Sequence, residues 1–278
     1  MSKGVLIFAY NSSLNYVEMA TVAAKLVKKY LDLPVTLVTN SIEVTDRVFD
    51  NIILQDLGES KFERVFNFGT SKEKVIWHNQ NRSSAYDLSP YDQTLLIDAD
   101  YLMFDNNLKY LFDTSLEIAC YNRVVDITGS NHLQLGARVG FPGIPMQWAT
   151  VLYFTKNKLA MSVFDLMKII RNNYLYYSAA YNFDPQLFRN DYALSIALQA
   201  LTGYNTKKFT IIPGPLMTAN SSVALTEVRK SGELIFKWKH YNNSKSLMIR
   251  LRDTNIHIMN KRTITDHAIV QQITEFAS

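Results

Sequence analysis

The first forty residues constrain this chain most. Val5-Leu6-Ile7-Phe8-Ala9 is an unbroken apolar run, and the next pattern is helical. Asn15 stands as an N-cap with Glu18 three residues on, the spacing of a capping box. Val17, Ala20, Ala24, Val27 and Leu31 then recur at helical spacing, Pro34 ends the helix, and Val35-Thr36-Leu37-Val38 is again strand-like. Strand, helix, strand in this order predicts a parallel βαβ unit, and hence an α/β sheet that binds ligands beyond the carboxyl ends of its strands. Two loops occupy that edge, Ala9-Tyr10-Asn11-Ser12-Ser13 and Thr39-Asn40-Ser41. Neither holds a Gly-x-Gly-x-x-Gly, so a dinucleotide fingerprint is absent.

The chemistry-bearing stretch is Leu95-Leu96-Ile97-Asp98-Ala99-Asp100-Tyr101-Leu102-Met103-Phe104-Asp105. Its apolar start reads as a buried strand with Asp98 and Asp100 at its mouth. Residues i and i+2 of a strand face the same way, so both carboxylates are expected to converge. Paired acids there repel unless a cation joins them, and Mg²⁺ or Mn²⁺ with oxygen ligands is the natural partner. The plainer alternative is one Asp capping a turn and one solvated.

Further strands are expected at Val48–Leu54, Leu116–Tyr121, Thr150–Phe154, Phe209–Ile212, Leu234–Trp238 and Ile256–Met259. Helices are expected over Lys158–Tyr174 and Tyr192–Leu201, the second capped by Asn190-Asp191 and ended by Gly203. Trp77–Asp87 is polar and partly helical, with His78 and Arg82, and Ser89-Pro90-Tyr91-Asp92 is a turn. Residues 58–75 show no clear pattern. Arg123–Gln147, rich in glycine and proline, is too long for a plain connection and reads as a functional loop.

Composition narrows the class. Hydrophobic residues make up 47% of 278, enough for a sizeable core, yet no apolar run could span a bilayer. One cysteine, Cys120, excludes an internal disulfide and a cysteine-based metal site. The start Met-Ser-Lys-Gly has no signal-peptide pattern, so a cytoplasmic location (the host's, for a viral protein) is expected. From Ala200 onward there are 11 Lys and Arg against 5 Asp and Glu, while the remainder has 18 against 20. A basic C-terminal third fits contact with a polyanion or an ordinary basic surface.

Taken together, the βαβ opening, the Arg82 segment, Pro90-Tyr91-Asp92 and Leu95–Leu102 resemble the GT-A fold of nucleotide-sugar-dependent glycosyltransferases. Ser89–Phe104 is similar to the Asp-x-Asp segment of the glycogenin-like and galactosyltransferase-like members. The resemblance implies an α/β mixed sheet flanked by helices: a catalytic core over residues 1–215 and a basic C-terminal segment, 216–278, that completes the site. It implies a metal-dependent glycosyltransferase whose donor is a nucleoside diphosphate sugar and whose cofactor is Mn²⁺ or Mg²⁺. Asp98 and Asp100 would hold the ion, with His257 as third ligand and His240 as its rival. Lys261 would meet a phosphate, and Arg82 the diphosphate or the donor sugar; a surface position is the alternative for Arg82. Tyr10 would stack on the nucleobase, or merely pack, and Asn11 or Asn40 would bind its polar edge.

Asp191 matches the family's acidic residue near the reacting carbon, as general base or sugar-orienting carboxylate; its alternative is an N-cap, and Asp184 is a weaker candidate. Trp148-Ala149-Thr150 stands where many members have Asn-Ala-Gly. The acceptor is open among saccharide, protein and nucleic acid, with hydroxymethylated bases of bacteriophage DNA the specific suggestion. Gly129–Gly143, Trp148 and Tyr181 would then help form the base pocket. A nucleotidyltransferase and a non-catalytic nucleic-acid-binding protein are the competing readings.

Overall fold

The computed structural model describes the chain except residues 45, 57–62, 68–71, 77–78, 131–137, 142, 186–187, 204–208 and 240–245; for 63–67, 72–76, 79–80 and 239 it describes backbone alone. The opening forms as its pattern demands. β1 (Lys3–Ala9) leads into α1 (Tyr16–Leu31) and β2 (Val35–Thr39), which lies parallel to β1 with Val5 beside Val35. Asn15 accepts from the Glu18 N–H, so the cap is real. The helix stops earlier than Pro34 alone would require, at Asp32 in the left-handed conformation.

β3 (Asn51–Leu54) extends the sheet beyond β2. β4 (Glu63–Asn67) and β5 (Lys72–Ile76) form a separate antiparallel pair in the stretch whose sequence gave no pattern. A 3₁₀ turn (Asn79–Ser84) and the short α2 (Ala85–Leu88) carry the chain to β6 (Gln93–Asp98). β7 (Tyr101–Leu102), β8 (Ile118–Tyr121) and β9 (Val124–Asp126) follow, then the small hairpin β10 (Arg138–Val139) and β11 (Ile144–Pro145). Parts of the 123–147 loop are therefore short strands.

β12 (Trp148–Thr155), α3 (Lys158–Asn172), α4 (Tyr174–Tyr181), α5 (Asn190–Thr202) and β13 (Thr210–Ile211) complete the main body. After it come β14 (Leu216–Ala219), β15 (Val223–Val228), β16 (Leu234–Lys239), β17 (Ser246–Leu251), β18 (Ile256–Ile258), α6 (Lys261–Ile264) and α7 (His267–Ala277).

The main sheet runs β13-β8-β12-β6-β1-β2-β3. β6 lies at its centre, parallel to β1 and antiparallel to β12, which explains why Leu95, Leu96 and Ile97 are buried on both faces. The mixed α/β sheet flanked by helices is thus the observed architecture. A second sheet, β7-β18-β14-β9, joins the strand after the acidic pair to two strands of the C-terminal third. β15, β16 and β17 form a third, antiparallel sheet. No helix among the described residues is long and apolar enough to cross a membrane.

Pro90-Tyr91-Asp92 locks the start of β6 to the start of β1. Asp92 accepts from the Ser2 backbone N–H at 2.8 Å, and the Tyr91 ring lies against Gly4, where a Cβ would stand 2.3 Å from the ring. Only glycine leaves room for that ring.

A second tie joins α1 to the sheet. Asp50 accepts from the Val35 N–H at 2.7 Å and from Lys28 Nζ at 2.6 Å. Burial works the other way, but Lys28 and Val35 hold its carboxyl below the usual range. The folded pKa is depressed, so the contribution is present above the unfolded value near 3.9 and is lost as pH falls through the folded one. Both side chains are over a third exposed, which keeps the gain under about 1 kcal/mol. Asp50→Asn is expected to melt about 2 °C lower at pH 7. The gap to the parent should close below about pH 4, read by thermal denaturation at pH 7 and pH 3.

Candidate active site

The site begins where β6 ends. Asp98 is the last strand residue, but Asp100 lies in the turn that follows, so strand alternation alone does not bring the two together. The turn folds back into β7, which pairs antiparallel with β18, His257 opposite Tyr101. The Ile258 N–H donates to the Asp100 carbonyl at 2.9 Å, and His257 Nε2 stands 3.3 Å from Asp100 Oδ2. One ligand atom each from Asp98, Asp100 and His257 then lies within 4.8 Å of the others. Two carboxylates and an imidazole form a donor set that suits a divalent cation; the nitrogen ligand leans toward Mn²⁺ over Mg²⁺.

Each carboxylate also has a basic partner. Arg82, from the 3₁₀ turn, pairs with Asp98, and Lys261, at the start of α6, pairs with Asp100. Burial alone would raise Asp100, but Lys261 and His257 hold it far below the usual carboxylate range. Burial pulls Arg82 down to about 10 against the fields of Asp191 and Asp100, so it remains cationic at neutral pH. Arg82 is 2% exposed, which removes the surface alternative, and its Nε and a second terminal nitrogen are buried without a hydrogen-bond partner among the described residues. Unmet donors on a buried guanidinium beside paired acids are what an incoming anion would satisfy.

Other expected residues are placed differently. Tyr10 is 3% exposed, its hydroxyl donating to Gln55 and its ring edge-on to Phe8, so it offers no open face for stacking. Asn11 and Asn40 engage each other. The Asn11 N–H donates to Asn40 Oδ1 at 2.8 Å, Asn40 Nδ2 donates to the Asn11 carbonyl at 3.1 Å, and Asn11 Oδ1 accepts from the Val17 N–H. They tie the loops after β1 and β2 to the N-terminus of α1. Losing two such bonds costs about 1–2 kcal/mol, so Asn40→Ala should melt about 3–6 °C lower in a thermal scan.

Asp191 lies in the first turn of α5, whose N-cap is Arg189, so the expected Asn190-Asp191 cap does not form. Its Oδ1 instead accepts from the Ala149 N–H at 2.9 Å and its Oδ2 pairs with Arg189 at 3.0 Å. Asp191 therefore fastens the start of β12 beside the acidic turn, within electrostatic reach of Arg82. Asp184 is exposed after α4. His240 and His78 lie outside the described residues.

Solved structures with similar organisation include the glycosyltransferase GlyE of Streptococcus pneumoniae TIGR4, 15% identical over 77% of this chain and 46% of that chain, with a TM-score of 0.44. The galactosyltransferase LgtC, with donor and acceptor sugar analogues, is 15% identical over 75% of this chain and 72% of its own, with a TM-score of 0.46. Mouse xyloside xylosyltransferase 1 is 14% identical over 76% and 85%, with a TM-score of 0.43. The chain spans less than half the length of GlyE. No family model matches, and no curated protein does.

Two residues near the triad escaped the sequence reading. Thr218 is the register partner of His257 on one side and of Asp126 on the other, so the three share one face of the second sheet. Thr218 Oγ1 and Asp126 Oδ2 are buried with no hydrogen-bond partner among the described residues. Asp126 had a signal, an apolar pair ending in an acid as at Asp98. Thr218 had none, because only long-range pairing aligns it.

Proposed function

We propose that the chain is a divalent-cation-dependent glycosyltransferase of the GT-A type, moving a sugar from a nucleoside diphosphate sugar to an acceptor. The observation that carries the reading is the convergence of Asp98, Asp100 and His257 from two sheets and widely separated sequence. Bound by those three, Mn²⁺ or Mg²⁺ supplies Lewis-acid stabilisation to the departing diphosphate. The protein's own groups do the rest. Arg82 presents unmet guanidinium donors and Lys261 an ammonium, both suited to phosphate oxygens whose charge grows as the sugar leaves. Asp191 orients β12 through Ala149 and carries negative charge near Arg82, suited to the sugar side of the site. On this reading segment 216–278 completes the site, since it supplies His257 and Lys261.

For the acceptor, exposed Lys237 and Arg250 lie on one face of the third sheet, with exposed Arg252 just beyond β17, and favour a polyanion such as hydroxymethylated phage DNA. Lys237→Glu with Arg250→Glu should then weaken duplex binding at 0.1 M salt about tenfold or more, while leaving the nucleotide response unchanged.

The test of the donor reading is a thermal-shift screen of nucleoside diphosphates and their sugars with and without Mn²⁺. One nucleotide is expected to raise Tm only when Mn²⁺ is present. No response across the whole panel would contradict the reading.

A further inference from the structure

Trp148 carries an unused group in an informative place. It is 7% exposed, and its indole Nε1–H has no hydrogen-bond partner among the described residues. An indole nitrogen can only donate, so this group calls for an oxygen acceptor that none of the described residues provides. β12 runs antiparallel to β6 with Val151 opposite Ile97, so the start of β12 lies beside the turn that holds Asp100.

The surroundings set the indole against Arg189, next to the residue that Asp191 fastens. Ala149, the next residue, is bonded to Asp191 at 2.9 Å. Asp191 holds Arg189 at 3.0 Å, and the Arg189 guanidinium lies 6.0 Å from the Trp148 ring and 4.9 Å from the Tyr192 ring. Trp148 is thus a buried donor backed by a cation, and Asp191, which fastens the neighbouring Ala149, is close enough to Arg82 for its charge to act there. A diphosphate held at Asp98, Asp100 and Arg82 would place its attached sugar next to this wall. Sugars offer hydroxyl oxygens as acceptors, which is the missing partner.

Resting on the site reading above, we propose that Trp148 is a specificity-determining residue for the donor, its indole N–H bonding a hydroxyl oxygen of the transferred sugar. The nucleotide itself does not touch it. The chain has three tryptophans, so three indole N–H signals are resolvable by NMR in ¹⁵N-labelled protein.

The probes are Mn²⁺ with UDP against UDP-glucose, and GDP against GDP-mannose, the pair being the one whose nucleotide binds. Trp77→Phe and Trp238→Phe assign the signals. The Trp148 signal is expected to move downfield with the sugar nucleotide and to stay in place with the bare diphosphate. In Trp148→Phe, affinity for the bare diphosphate should match the parent within twofold, while affinity for the sugar nucleotide falls about three- to tenfold. A signal that moves equally with both probes, or with neither, overturns the proposal, as does an equal change of both affinities in the variant. The NMR arm stands even if the variant does not fold. Failure of any nucleotide to bind would instead strike the donor reading itself.

Discussion

Asp98→Asn and Asp100→Asn are each expected to lower sugar transfer at least about 10³-fold, some 4 kcal/mol of transition-state stabilisation. Both remove a charged ligand from the Asp98, Asp100, His257 group. Each also leaves a buried cation short of its partner, Arg82 in one case and Lys261 in the other. The amide keeps an oxygen that can still accept, so the stability cost should stay near 2 kcal/mol, a fall of about 4–8 °C. A steady-state assay at saturating Mn²⁺, alongside a melt of each variant, separates the two effects. A variant that retains parent-like turnover would remove the acidic pair from the chemistry.

The second large effect is expected at Arg82. Arg82→Lys keeps a positive charge but discards the fork whose spare nitrogens are unpartnered. Transfer should fall about a hundredfold, with weaker binding of the diphosphate. Arg82→Met goes further, leaving Asp98 without its buried basic partner, a loss of about 3–5 kcal/mol in stability. An uncompensated carboxylate attracts a cation more strongly, so Mn²⁺ should raise the Tm of Arg82→Met by more degrees than that of the parent. Equal rises would mean that Arg82 does not sense the ion site.

The legible features were local ones. The Asn15 cap, the βαβ opening and the buried run before Asp98 all rest on short-range periodicity and backbone capping, which sequence records directly. Strand alternation accounts for only part of the approach of Asp98 and Asp100. The strand ends at Asp98, and it is the turn and the β7–β18 pairing that set Asp100. His257 and Lys261 were reachable only through resemblance, because no local pattern tells which late strand pairs with β7. At Asp191 it is the capping alternative that fails. An acid at a helix start suggests a cap, yet tertiary contacts to Ala149 and Arg189 claimed its oxygens. Tyr10, for which the sequence leaves stacking and packing open, packs into the core with Phe8 and Gln55. The Asp126, Thr218, His257 row could not be read at all without register.

The most direct measurement is electron–nuclear double resonance on Mn²⁺ bound with the nucleoside diphosphate that the thermal screen selects. Directly bound nitrogen from one imidazole is expected, absent in His257→Gln and retained in His240→Gln. A spectrum without nitrogen coupling, or one that His257→Gln leaves unchanged, would contradict a metal site built from Asp98, Asp100 and His257.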